Sequence, residues 1–304
     1  MIRLGDYNRM TVTKSVDFGL YLDGGDEGEI LLPARYVPKG AKPGDELEVF
    51  IYLDQDERPV ATTQRPLARV GDFAYLEVAW VNEYGAFLNW GLMKDLFCPF
   101  REQKMRMQQG QRYIVYVTID EESYRLIATA KVERYLYSEN SESSKNSEPS
   151  ESSEPSEPSE KKRPLPPLRR YKHGDAADLL VWQKTDLGFK VIVDGCYQGL
   201  IYDNQIFRPL HTGDRLRGYI DHVRQDGKID LTLQPTGRRQ TEEFSEVLLR
   251  YLHDNNGHCE LGDKSPSELI SDRFKVSKKT YKKAIGDLYR RHLIVIGDDG
   301  IRLV

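Results

Sequence analysis

The sequence predicts a mainly β protein: three small five-stranded barrels followed by a C-terminal domain of three helices and a β-hairpin. Two observations carry that prediction. A glycine-centred block occurs three times at fixed spacing, and after Pro235 the hydrophobic period changes from that of strands to that of helices.

The repeat is legible by subtraction. Gly5-Asp6, Gly71-Asp72 and Gly174-Asp175 open the blocks, and Gly44-Asp45, Gly110-Gln111 and Gly213-Asp214 come later. Between them Asp17-Phe18-Gly19-Leu20-Tyr21 returns as Glu83-Tyr84-Gly85-Ala86-Phe87 and as Asp186-Leu187-Gly188-Phe189-Lys190. In every column the copies stand 66 and then 103 residues apart, so one module occurs three times with extra chain before the third. These modules are placed at 1–65, 66–137 and 168–236, and the helical domain at 237–304.

The second copy defines the elements. Phe73 to Val81 alternates and is rich in β-branched and aromatic residues, Ala86 to Asn89 follows the Tyr84-Gly85 turn, and Asp95 to Phe97 is a third short strand. Gln111 to Ile119 alternates again and Arg125 to Lys131 closes the block. The same succession runs through Leu47 to Leu53 and Pro59 to Thr63 in the first copy, and through Leu216 to Val223 and Lys228 to Leu233 in the third. Asp226-Gly227 supplies a tight turn with positive φ. Five short strands in such a length close most economically as a Greek-key barrel, the OB-fold.

The insertion is the segment 138–167. From Ser138 to Glu160 it carries seven Glu against the single Lys145 and no aliphatic or aromatic residue, so it has nothing to bury and is expected to be a disordered, charge-extended linker. Pro164, Pro166 and Pro167 stiffen its end. The net charge of −4 is therefore local; the remainder of the chain is slightly basic.

The glycine-centred motif and its surroundings resemble the S1-type RNA-binding domain, an OB-fold subfamily. That resemblance implies an RNA face made of two aromatics flanking the motif, a further aromatic about ten residues on, and a basic residue leading the last strand. Carried over, the second copy offers Tyr84, Phe87, Phe97 and Arg125. The first offers Phe18, Tyr21 and Arg58, with Leu31 in place of the third ring. The third has Leu187 and Lys190 for the aromatic pair and adds Phe189, Tyr202 and Lys228. Rings stack on the exposed faces of unpaired bases and cations pair with phosphates, a combination suited to single strands.

In the C-terminal domain Phe244, Val247, Leu248, Tyr251 and Leu252 recur at helical spacing. Ser265-Pro266-Ser267-Glu268 reads as the start of a second helix, with Ser265 as cap and Glu268 closing a capping box. A third begins after Ser277, burying Tyr281, Ala284, Ile285 and Leu288. Leu293 to Ile296 and Ile301 to Val304 form a hairpin. This is the layout of a winged helix-turn-helix domain, and Lys278, Lys279, Lys282 and Lys283 suit its third helix to a phosphate backbone.

Three S1-like modules followed by a winged helix resemble the CvfB (conserved virulence factor B) family of RNA-binding regulators. The resemblance implies a cytoplasmic, non-catalytic protein that binds single-stranded RNA and influences gene expression. A DNA-binding regulator that reads duplex through the winged helix and a scaffold docking on ribosome or protein are the alternatives.

Other functions lack their residues. The sequence has no GxxxxGK[ST] loop, GxSxG elbow or HExxH motif, so no catalytic residues and no cofactor are expected. Cys98, Cys196 and Cys259 are far apart with no CxxC pair, which argues against a metal site even near His253, His258 and Cys259 and fits a reducing compartment. No run of about 18 apolar residues is present, so no membrane partner is expected.

Overall fold

A computed structural model describes residues 2–137, 171–206, 209–234, 238–297 and 299–304. The 138–167 segment expected to be a linker lies outside the described residues. The chain forms two compact units, Met1–Tyr135 and Leu136–Val304.

The first unit contains two closed barrels. Strands β1 (Tyr7–Val16), β2 (Gly19–Asp23), β3 (Glu29–Pro33), β4 (Glu46–Leu53) and β5 (Pro59–Thr62) close in the order β1-β2-β3-β5-β4. Strands β6 (Phe73–Val81), β7 (Gly85–Asn89), β8 (Leu96–Pro99), β9 (Arg112–Ile119) and β10 (Leu126–Thr129) repeat that order. Closure rests on one short parallel contact in each, Leu31 with Val60 and Phe97 with Ile127.

The Gly-Asp columns have a common backbone role. The Gly71 N–H donates to the Val117 carbonyl (2.9 Å) and the Val117 N–H returns a bond to the Asp72 carbonyl (3.1 Å). Gly5 and Asp6 exchange the same pair of bonds with Ile51, and Gly174 and Asp175 with Ile220. The later dipeptides clamp the first strand of each barrel likewise, Gly44-Asp45 on Val12, Gly110-Gln111 on Val78 and Gly213-Asp214 on Val181. Each repeated dipeptide therefore marks a place where the chain joins a ladder at a turn, satisfying backbone groups that would otherwise be unpaired.

The central glycines answer to close approach. A Cβ at Gly19, Gly85 or Gly188 would stand 2.2, 2.4 or 2.0 Å from the carbonyl oxygen of Leu32, Cys98 or Ile201 on the next strand. Inside the second barrel Leu76, Val78, Leu88, Trp90, Leu96 and Val117 are buried in one cluster that also takes in Phe50, Tyr52 and Val60 of the first. Phe50 meets Trp90 edge to face at 5.8 Å, and the Val70 N–H donates to the Gly5 carbonyl at 2.9 Å, so the two barrels are packed together.

The second unit opens with the third barrel, of the same topology: β11 (Ala176–Thr185), β12 (Gly188–Val193), β13 (Tyr197–Tyr202), β14 (Arg215–Val223) and β15 (Ile229–Thr232). Gly227, at φ 77°, makes the expected tight turn before β15. Then come α1 (Arg238–Asp254), β16 (His258–Cys259), α2 (Ser267–Phe274), α3 (Lys278–Arg290), β17 (Ile294–Gly297) and β18 (Gly300–Leu303). The mainly β class, with three five-stranded barrels and a C-terminal winged helix region, is thus as the sequence predicts.

Three details differ. The short β16 pairs with β18, so the wing is a three-stranded sheet in the order β16-β18-β17. Ser265 does not cap α2: its hydroxyl accepts from the Gly262 N–H at 2.9 Å, and the helix begins two residues later, after an extended Pro266. Val247 is exposed on α1, while Phe244, Leu248 and Leu252 are buried. Ser277 caps α3 as expected, its Oγ accepting from the Thr280 N–H at 3.2 Å. Among the described residues no helix is long and apolar enough to cross a membrane, and no group of three His, Cys, Asp or Glu could hold a metal ion.

Candidate nucleic-acid interface

Four of the candidate residues, Tyr21, Phe87, Phe97 and Lys190, sit on a row that crosses each barrel from its first strand to its third, while Phe18 and Tyr84 lie in the turn before the second strand and Arg58, Arg125 and Lys228 just precede the last. A β-bulge in the first strand sets that row. Pairing slips by one residue between Val12 and Lys14, between Val78 and Trp80, and between Val181 and Gln183. Before the slip, alternate residues point inward, as Leu76 and Val78 do; the extra residue then turns position 80 outward. The rows read Lys14, Tyr21, Leu31 in the first barrel, Trp80, Phe87, Phe97 in the second, and Gln183, Lys190, Leu200 in the third.

In the second barrel the whole row is aromatic. The Trp80 and Phe87 rings stack at 3.7 Å with an interplanar angle of 3°, and Phe97 tilts against Phe87 at 4.9 Å. Phe87 is therefore flanked from both neighbouring strands and is half-buried. Trp80 remains 43% exposed, steadied by its indole N–H, which donates to Asp95 Oδ2 at 3.0 Å. Tyr84 is 65% exposed in the β6–β7 turn, where Asn82 Oδ1 accepts from the N–H groups of Tyr84 and Gly85. The rings most open to solvent are thus Trp80 and Tyr84, with Phe87 and Phe97 more covered.

The other rows are different surfaces. In the first barrel Phe18 is 57% exposed and meets Tyr21 edge to face at 6.2 Å, while Lys14 Nζ lies 4.5 Å from the centre of the Tyr21 ring. In the third, strand register puts Leu200 opposite Lys190, and Tyr202 two pairs further on, opposite Gly188. Tyr202 thus does not take the Phe97 position; its hydroxyl accepts from Arg224 Nη2 at 2.5 Å. Phe189 follows the inward alternation and packs against the barrel core, with Lys184 Nζ 4.6 Å from its ring. Lys190 Nζ lies 5.4 Å from the centre of the Trp182 ring.

The basic residue leading the last strand is paired in all three copies. Arg58 Nη2 lies 2.9 Å from carboxylate oxygens of both Asp54 and Asp56, and the hydrogen bond to Asp54 raises its pKa further. Lys228 lies 2.9 Å from Asp226, whose carboxyl it holds below the usual range through that hydrogen bond. Arg125 reaches across to the first barrel, its Nε 3.3 Å from Glu57, which also takes Lys94 at 3.2 Å. Exposed pairs of this kind contribute only about 0–1 kcal/mol, so a phosphate can displace the carboxylate. Glu57→Gln is accordingly expected to raise affinity for single-stranded RNA by up to about fivefold and to steepen its salt dependence. Titration at two salt concentrations measures both; unchanged values would remove Arg125 and Lys94 from the interface.

On α3 the polar face is cationic. Tyr281, Ala284, Ile285 and Leu288 are buried, Lys279, Lys282 and Lys283 are exposed and Lys278 is half-buried. Among the described residues none of these four lysines pairs with an acid, whereas Arg290 and Arg291 both lie near Asp287, at 3.7 and 3.4 Å.

Residues 4–64, the span of the first barrel, match the family model of the S1 domain, and residues 246–303 match that of the CvfB-like winged helix domain. The resemblance to the CvfB family stands. The chain is 25% identical to YitL of Bacillus subtilis over 95% of its own length and 90% of the relative's. It is 22% identical to conserved virulence factor B of Staphylococcus aureus, covering 86% and 80%. A solved multidomain protein with nucleic acid binding domains from Streptococcus pneumoniae is 18% identical, with 99% and 98% covered and a TM-score of 0.41.

One residue of this CvfB-like chain escaped the sequence reading. Trp80 has no aromatic counterpart in the other copies, and plain alternation from Leu76 and Val78 assigns it to the core. The signal that finds it is positional: it stands at the 66 and 103 offsets from Lys14 and Gln183, two polar residues that cannot belong to a barrel interior.

Proposed function

We propose that this protein binds single-stranded RNA without catalysis, the second barrel supplying base stacking and the other barrels and α3 supplying charge. The observation that carries the reading is the Trp80–Phe87–Phe97 row with Tyr84 beside it. Large π-surfaces left open to solvent match unpaired bases, whereas a duplex keeps its bases stacked on one another. The S1 domain match and the CvfB resemblance support nucleic-acid binding, and the reading extends from there to a cytoplasmic protein that acts on gene expression after transcription.

A second reading has its own support. The four lysines of α3, which pair with no acid among the described residues, fit the phosphates of a duplex, as expected of a winged helix that contacts DNA. Competition separates the two. A labelled single-stranded RNA is expected to be displaced by unlabelled single strands and poorly by duplex DNA of equal length, at both low and moderate salt. Preference for the duplex would favour the second reading, and absence of binding to either at low salt would refute both.

A further inference from the structure

We infer that the strand bound on the second barrel continues into the groove between the first and second barrels, where Arg35 takes a backbone phosphate. This rests on the reading above and extends it to a site that neither barrel's own row contains. The groove, of roughly 720 Å³, is lined by Arg35, Tyr36, Thr63 and Gln64 from the first barrel and its exit, and by Asn89, Gly91, Leu92 and Met93 from the second.

Three features favour a nucleic-acid strand as its occupant. The first is charge. Arg35 is the one charged residue in the lining, and among the described residues no acid pairs with it; Arg65, which follows Gln64 in the chain, is exposed and likewise without a paired acid among them. The second is preorganisation. The Arg35 guanidinium lies 4.9 Å from the centre of the Tyr36 ring, and its Nη2 is 3.2 Å from Met93 Sδ, so the fork is held in place while a sulfur, a weak acceptor, leaves it open to a stronger one. Amide donors stand beside it. Asn89 Oδ1 already accepts from the Gly91 N–H at 3.0 Å, which turns its NH₂ to other partners.

The third feature is continuity. Phe87 and Asn89 alternate with buried Ala86 and Leu88 on β7, so they project from the same face of one strand. Their Cα atoms are about 7 Å apart by strand geometry. A chain that stacks on the aromatic row therefore needs only to follow β7 to enter the groove. An acidic peptide would meet the same arginine, but the row leading into it offers stacked rings and no second cation.

The test uses the full-length chain and fluorescein-labelled single-stranded RNAs of six and twelve nucleotides. Arg35→Glu is expected to weaken the twelve-mer by about tenfold and to lower its salt slope by about 0.7, one phosphate contact, while the six-mer changes less than about twofold. Arg35→Lys, which keeps the charge, is expected to restore most of the loss, and thermal melts confirm that both variants fold. Equal weakening at both lengths, or none at either, overturns the groove. Trp80→Ala serves as the separate arm. If it weakens both lengths while Arg35→Glu weakens neither, the groove falls and the stacking reading survives. If it weakens neither length, the stacking reading falls and the continuous track with it.

Discussion

Trp80→Ala is expected to lower affinity for single-stranded RNA by about 5- to 150-fold, the effect of removing one base-stacking ring at roughly 1–3 kcal/mol. The magnitude follows from the stack. Phe87 lies between Trp80 and Phe97, so it offers no open face; the indole offers one, held by its bond to Asp95. Truncation also costs some stability, because an aromatic pair contributes about 0.5–1.5 kcal/mol beyond its buried area. Trp80→Phe separates the two consequences, since it keeps a ring on Phe87 and should keep most of the binding. Fluorescence anisotropy on folded variants gives the comparison. Wild-type affinity in Trp80→Ala would move the site off the second barrel's row altogether.

Gly188→Ala is expected to unfold the third barrel or destabilise it by at least about 3 kcal/mol, the upper end of overpacking costs. The new Cβ would stand 2.0 Å from the Ile201 carbonyl oxygen, and the backbone is at φ 146°, where side chains are strained. Neither neighbour can give way without breaking the β12–β13 ladder. Denaturation followed by a probe local to this barrel, rather than by one global signal, is the measurement, because a chain of several domains need not unfold in one step. A native-like transition in the variant would contradict the close approach. Together the two substitutions separate two demands on the barrel: the glycine of the motif serves the fold, and the bulged position before it serves the surface.

Much of this was legible beforehand, and the particular failures have physical causes. The constant offsets identify three copies because the glycine of each repeated dipeptide has a positive φ, from 72° to 95°, which disfavours any other residue there. The strand succession of the second copy is found nearly as read, since alternation and turn residues agree there. Trp80 was missed because a bulge inverts the alternation, and an inserted residue leaves no compositional trace. Tyr202 joined the candidates as a nearby ring, although the 103 offset from Phe97, like the strand pairing, puts Leu200 at that position. Ser265 satisfied every rule for a helix cap yet bonds backward into its own loop, a local competition that sequence pattern does not decide. The partners of Arg125 were equally hidden, for Glu57 belongs to another barrel.

The inserted residue in each first strand has a bearing on how such modules diverge. Thr13, Ala79 and Trp182 hold the next side chain clear of the interior, so positions 14, 80 and 183 answer to whatever lies outside the barrel and not to its packing. They have become lysine, tryptophan and glutamine while the buried valines just before them stayed the same. A tandem array built this way acquires division of labour cheaply: each duplicate can try a new ligand chemistry at one address without renegotiating the scaffold that carries it.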